Sequence, residues 1–229
     1  MSNIKNLRLI SIDLFRTLVP LPQTPEFLRR WYLDGKYPPA VAEKIEARAE
    51  EILARRWDAA GVDDAEFLSV RAILQDTLRE LFSETKLPLE AGPVSDLILS
   101  QHRPGDLFED AQPFLRKVAQ KYPVCLSSDC DLHMVDGIEA IHRFDRVFTS
   151  EGLRAYKLNP RFFWNICDAY GLQPRQIMHI GDSRSDILAP QRLGIVTCWV
   201  NRKGNTWNGD KRPDYEVRDL LEILPILGL

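Results

Sequence analysis

The chain has no apolar run near the ~20 residues that a membrane helix needs, and Met1-Ser2-Asn3-Ile4-Lys5 carries no secretory-signal pattern. A cytoplasmic protein with no membrane partner is the expectation. No charge excess of one sign exists either: the net charge is −3, with basic and acidic residues interspersed. This excludes a nucleic-acid footprint and a polybasic membrane segment. Cysteine is scarce. Cys125, Cys130, Cys167 and Cys198 form no C-x-x-C pair and read as reduced thiols, so no disulfide framework is expected. The four histidines, His102, His133, His142 and His179, lack ligand spacing such as H-x-x-x-H. His179 lies within a strand and reads as a satisfied core residue. There is no repeat and no low-complexity tract.

What is present is a globular composition, 45% hydrophobic and 28% charged over 229 residues. That length suits one large domain or two small ones with a sizeable core. Residues 20–104 are helix-like and poor in strand patterns. Pro20, Pro22 and Pro25 make a hinge after the first strand. Val41, Ile45, Ile52, Leu53 and Trp57 follow a helical period that Gly61 stops. Asp63 or Asp64 is expected to cap a second helix carrying Phe67, Val70, Leu74, Leu78, Leu81 and Phe82 on one face. A shorter helix with Val94, Leu97, Ile98 and Gln101 follows, and Pro104-Gly105 forms a second hinge.

From 105 onward the pattern alternates. Strands are expected at 123–128, 146–149, 176–181 and 195–200, with a short one at 215–217. Helices are expected at 110–121, 133–141, 160–170, 184–193 and 220–227, and a loop at 201–212. With the apolar run Leu7–Ile12, this predicts an α/β fold. Its core is a Rossmann-like, doubly wound parallel sheet with helices on both faces. An all-helical segment interrupts it after the first strand.

Asp13 follows that first strand at once, and a later strand ends in Gly181-Asp182-Ser183-Arg184-Ser185-Asp186. Ligands in open α/β sheets bind at the carboxyl ends of strands. If the two strands are neighbours, Asp13, Asp182 and Asp186 converge. Three carboxylates that close cannot all stay ionised without a cation. A hard divalent ion, Mg2+ first, suits their oxygens.

These residues carry a family resemblance. The chain is similar to haloacid dehalogenase (HAD) superfamily hydrolases of the helical-cap branch, across residues 4–19 and about 105–217. Four motifs occur in order. Asp13-Leu14-Phe15-Arg16-Thr17-Leu18 resembles the first, and Val124–Ser128 with Asp129 the second. Lys157 in Tyr156-Lys157-Leu158-Asn159-Pro160 resembles the third, and Gly181, Asp182 and Asp186 the fourth. The resemblance implies a core of residues 1–19 and 105–229 with a cap of residues 20–104. Asp13 would be the nucleophile, oriented by Thr17. Ser128 would donate to a phosphoryl oxygen, and Lys157 would neutralise the nucleophile and the transferred group. The metal set would be Asp13, the backbone carbonyl of Phe15, Asp182 and Asp186, the last orienting Lys157 or a metal-bound water.

Three positions depart from the family pattern. Phe15 stands where family phosphatases carry a second Asp as general acid, a group whose loss typically costs about 10²–10⁴-fold. Asp129 stands where relatives often carry an amide, and would repel an anionic substrate unless screened. Arg16 replaces a small residue or Asp, and either reaches an anionic substrate or lies on the surface. The expected activity is hydrolysis of a small phosphorylated compound by a monomer or homodimer. The alternatives are a C–halogen hydrolase, whose family members have an aromatic residue at the Phe15 position but lack the Gly-Asp acid, and a phosphonate-cleaving enzyme using Lys36 or Lys44. A non-catalytic HAD-fold binding protein stays open as well. Arg29, Arg30, Trp31, Lys36, Lys44 and Arg48 are the cap residues that could meet substrate.

Overall fold

The computed structural model describes residues 4–62 and 65–229. Six strands form one sheet: Leu9–Ile12 (β1), Val124–Ser128 (β2), Arg146–Thr149 (β3), Ile177–Gly181 (β4), Val196–Val200 (β5) and Tyr215–Val217 (β6). Their order is β3-β2-β1-β4-β5-β6, and every pairing is parallel. The helices are Thr24–Leu28 (α1), Pro39–Ala60 (α2), Val70–Thr85 (α3), Ala91–Ser100 (α4), Ala111–Val118 (α5), Ser150–Leu153 (α6), Pro160–Tyr170 (α7), Leu188–Leu193 (α8) and Ile223–Leu227 (α9).

The sheet is built as a parallel sheet must be. Four of its strands, β1, β2, β4 and β5, are buried along their whole length. Such strands read as near-continuous apolar runs because helices cover both faces. Strand order reverses at β1, which lies between β2 and β4. This switch point is where α/β sheets open a crevice at their carboxyl ends. Asp13 extends β1 by one bond, its N–H donating to the Ile180 carbonyl at 2.9 Å.

Register decides which side chains meet. Ser11 lies opposite Cys125 on one side and His179 on the other. Side chains alternate along a strand, so Leu9, Ser11, Cys125, Ser127, Ile177 and His179 share one face. Its apolar part packs with Phe162, Phe163 and Ile166 of α7 and Ala189 of α8 in one core cluster. Helix α7 has clear ends. Asn159 caps it through the Arg161 N–H at 2.9 Å, Pro160 opens it, and Gly171 closes it at φ 62°.

Contacts divide the chain into two units, one running to Pro20 and from Pro104 to Leu229, the other Leu21–Arg103. In the second, α2 buries Ala42, Ile45, Ala49 and Ile52, while Val41 of the expected face is exposed. Small alanines let α2 lie close to its neighbours, so the buried stripe is turned from the one that large residues alone mark. Helix α3 buries Val70, Ile73, Leu74, Thr77, Leu78, Leu81 and Phe82. Its cap is Ser69, which accepts from the Ala72 N–H at 3.1 Å. The caps expected from sequence, Asp63 and Asp64, lie outside the described residues, and Phe67 precedes the helix. Pro25, read as part of a hinge, sits in the first turn of α1, where its missing N–H costs nothing. Among the described residues, no helix is long and apolar enough to cross a membrane.

Two expected helices are broken. Residues 132–140 form two short 3-10 turns, Leu132–Val135 and Ile138–Ala140, separated by Gly137 at φ 80°. Residues 184–193 form a 3-10 turn, Arg184–Asp186, before α8 begins. Pro190 accounts for the second break, since a proline inside a continuous helix has no N–H to donate and clashes with the carbonyl of Asp186 four residues back; α8 instead starts at Leu188, with Pro190 in its first turn. The Asp186 carboxylate folds back onto the Ser183 N–H at 2.9 Å and the Ser183 hydroxyl at 2.6 Å, as in a capping box.

Candidate active site

Asp13, Thr17, Lys157 and Asp186 meet beyond the carboxyl ends of β1 and β4, and all are buried. The Lys157 ammonium lies between two carboxylates, 2.7 Å from Asp13 Oδ1 and 2.5 Å from Asp186 Oδ1. Thr17 donates to the other Asp13 oxygen at 3.1 Å. Burial pushes Asp13 up to about 7 and outweighs the pull of Lys157, with Asp186 and Asp182 adding to the rise. Burial also opposes charge on Lys157, but Asp13 and Asp186 more than offset it and hold the ammonium protonated. Asp186 goes the other way. Burial raises it, yet Lys157 and His179 together hold it well below the usual carboxylate range.

Asp186 is saturated. Its Oδ1 accepts from Lys157 and from His179 Nε2 at 3.0 Å, and its Oδ2 accepts both Ser183 donors. A carboxylate has about four acceptor sites, so Asp186 has none to spare. It also needs Gly181, because a Cβ at that position would overlap the Asp186 carboxylate. The glycine of the fourth motif is thus a matter of space.

Asp182 is different. Its Oδ2 accepts from Arg16 Nε at 2.8 Å, and its backbone carbonyl accepts from Trp199 Nε1 at 2.8 Å. Its Oδ1 is buried with no partner, one of five such atoms among the described residues. Such an atom is costly to leave bare. Burial raises Asp182 despite Arg16. Arg16 stands at φ 65°, a left-handed conformation that costs an L-residue roughly 1–2 kcal/mol. Asp182 and Arg16 lie 18% and 35% exposed at their side chains, so their pairing is worth less than the Lys157 contacts.

Oxygens of Asp13, Asp182 and Asp186 lie within 4.8 Å of one another. Asp129, also raised by burial, lies close enough to Lys157 to feel its charge and accepts from the Lys157 backbone N–H at 2.8 Å. Four carboxylates thus face two cations, Lys157 and Arg16, so the acidic groups outnumber the fixed positive charges by two, and burial raises three of the four. The unpartnered Asp182 oxygen and this charge deficit fit a hard divalent ion. Ser128 is buried at the end of β2, and Phe15 is buried after β1. Cys130 is buried and its thiol is pushed above its ordinary value, so it is inert.

Sequence reasoning missed two supports. Arg202 donates to the Thr17 carbonyl at 2.9 Å and to Asp110 Oδ1 at 3.0 Å, tying down the loop after Asp13. Ser11 and Ser127 join His179 beneath the site. Polar residues at matched register positions in otherwise apolar strands were the available sign of the second. Nothing local marks the first, since Arg202 lies in a polar loop.

Comparisons with known proteins bear on the fold and the family. An (S)-2-haloacid dehalogenase 4A of Burkholderia cepacia is 26% identical over 141 residues, 59% of this chain and 61% of that protein. A phosphoglycolate phosphatase of Pasteurella multocida is 32% identical over 89 residues, 38% of this chain and 39% of that protein. The alignments thus span less than two thirds of these relatives. Among solved structures, an L-2-haloacid dehalogenase superposes with a TM-score of 0.78 at 18% identity, covering 98% of this chain and 100% of its own. A HAD-hydrolase from Bacillus subtilis bound to magnesium gives 0.73 at 20% identity, covering 98% and 100%. At these identities the structures speak for the fold alone. The family model described as haloacid dehalogenase-like hydrolase matches residues 12–194, most of the chain, and the protein belongs to that family.

Proposed function

We propose that the chain is a Mg2+-dependent hydrolase of a small phosphorylated compound, with Asp13 as nucleophile. The observation that carries this reading is the buried, unpartnered Asp182 Oδ1 beside Asp13, in a site where four carboxylates face two cations. Asp13, Asp182 and the Phe15 carbonyl would hold the ion, while Asp186 is committed to Lys157. When bound, the ion supplies charge neutralisation for the transferred phosphoryl group. An Asp13 oxygen attacks phosphorus and the bond to the leaving oxygen breaks. Water then hydrolyses the aspartyl-phosphate, restoring the carboxylate. Thr17 and Lys157 hold Asp13 for in-line attack, and Lys157 offsets charge on the transferred group. Ser128 donates to a phosphoryl oxygen.

Phe15 cannot protonate a leaving group. Substrates whose leaving oxygen departs unprotonated, acyl and aryl phosphates, should therefore outrun alkyl phosphates by roughly the general-acid factor of about 10²–10⁴. Residues 21–103 are assigned the role of a substrate-selecting cap.

The test is phosphate release from acyl, aryl and alkyl phosphates with and without Mg2+, with Asp13→Asn as the blank. Phe15→Asp should raise the alkyl rates. Release without Mg2+, or release that survives Asp13→Asn, would overturn the reading. A second reading has one observation in its favour. Phe15 is aromatic and buried, as in family dehalogenases, and a dehalogenase is among the relatives. Metal-independent halide release from a 2-haloacid, with no phosphate release, would favour it.

A further inference from the structure

Beneath the carboxylates runs a line of buried polar side chains that the mechanism above does not use. Ser127 Oγ lies 2.6 Å from Ser11 Oγ, which lies 2.8 Å from His179 Nδ1. His179 Nε2 lies 3.0 Å from Asp186 Oδ1. Ser11, Ser127, His179 and Asp186 are all fully buried. These groups come from β2, β1 and β4 and from the turn after β4, so sheet register aligns them across three strands.

The direction of the bonds follows from one constraint. An ionised carboxylate can only accept. Asp186 is held ionised by Lys157, so the proton between the ring and Asp186 belongs to His179 Nε2. A neutral ring then leaves Nδ1 bare, and Ser11 must donate to it. Ser11 in turn accepts from Ser127. Phe163 stands edge-on to the imidazole at 4.8 Å. The arrangement resembles the way a carboxylate or carbonyl fixes the tautomer of a working histidine, with the roles reversed: here the histidine fixes the carboxylate.

We propose that His179 is a positioning residue, whose Nε2–H holds the Asp186 carboxylate, and through it the Lys157 ammonium, in place against Asp13. Its influence on catalysis rests on Asp13 being the nucleophile; its hold on Lys157 does not. Without the Nε2–H, Asp186 Oδ1 keeps only Lys157, and the two Ser183 donors hold only the other oxygen.

The amide nitrogen of glutamine reaches about as far as histidine Nε2, and that of asparagine about as far as Nδ1. His179→Gln therefore keeps the donor where it is needed, His179→Asn misplaces it, and His179→Leu removes it. Two NMR readouts on the 15N-labelled protein test the proposal without any substrate. His179 should show a protonated Nε2 and a bare Nδ1. The Lys157 ammonium should give a sharp, slowly exchanging signal in the parent and in His179→Gln, and should broaden in His179→Asn and His179→Leu. A bare Nε2, or a Lys157 signal unchanged across all three variants, would overturn the proposal. With an active substrate, kcat should fall at least tenfold in the Asn and Leu variants while KM holds, and His179→Gln should recover most of it. Should no phosphate ester turn over, the phosphatase reading falls while the Lys157 signal still decides this one.

Discussion

The two units of this chain use charge in opposite ways. In the helical unit, α2 and α3 are laced by ion pairs at the surface, Arg48 with Glu84 at 2.7 Å and Arg56 with Glu80 at 2.8 Å. Their side chains are roughly a quarter to two fifths exposed, and water competes for every contact. In the α/β unit, Lys157, Asp13 and Asp186 are at most 7% exposed and have only one another and the groups bonded to them. The surface pairs could be exchanged one by one. The buried set cannot, because removing one member leaves its partners charged in a medium that solvates them poorly. Stability alone does not call for such a cluster, since well-packed apolar residues do as well or better. Its presence singles out the unit that holds the candidate site.

That contrast can be broken at its strongest point. Lys157→Ala leaves Asp13 and Asp186 without their shared cation, and should cost about 3–5 kcal/mol in urea unfolding as well as reducing turnover to the Asp13→Asn blank. A loss below 1 kcal/mol would mean that water already reaches the cluster. Gly181→Ala comes next. Its Cβ displaces the Asp186 carboxylate, and overpacking of this kind typically costs about 1–3 kcal/mol. Activity should fall further than stability, because Lys157 loses an anchor. Equal activity in a folded Gly181→Ala protein would show that Asp186 can sit elsewhere. Ser69→Ala removes the α3 cap and should cost about 1 kcal/mol with no change in kcat, as expected for a residue that supports only the helical unit. At the bottom of the scale stands the Arg48–Glu84 pair. Arg48 grips both Glu84 oxygens, so a double-mutant cycle there should give a coupling of about 0.2–1 kcal/mol that shrinks with salt, and a coupling as large as the Lys157 loss would erase the distinction between the two units.

Much of this contrast was legible in the residues. Strand–helix alternation after residue 105, apolar runs at 7–12 and 123–128, and carboxylates at their ends mark an α/β core with a site at its carboxyl edge. Each of those patterns is local and repeats at a short period. The turns around Gly137 and Asp186 were less legible. Gly137 at positive φ, and Pro190 beyond the capping turn of Asp186, interrupt helices that hydrophobic periodicity alone would continue. In α2 the buried stripe follows Ala42 and Ala49, small residues whose burial depends on which neighbour they meet.

The site divides in the same manner. Asp13, Thr17, Lys157, Asp182 and Asp186 could be named from sequence because short motifs carry them. What each one does could not be separated there. Asp182 and Asp186 stand four residues apart with the same functional group, yet one is filled by four donors and the other keeps a bare oxygen. That difference depends on His179, Ser183 and Arg16, whose distances to the two carboxylates exist only once the strands have paired. The sequence by itself determined the order of strands and helices and the identity of the candidate site groups, because these depend on neighbours along the chain. Only the tertiary structure decided which carboxylate is spent on Lys157 and which keeps one oxygen bare beside Arg16, since burial, hydrogen-bond saturation and charge balance are set by residues far apart in the chain.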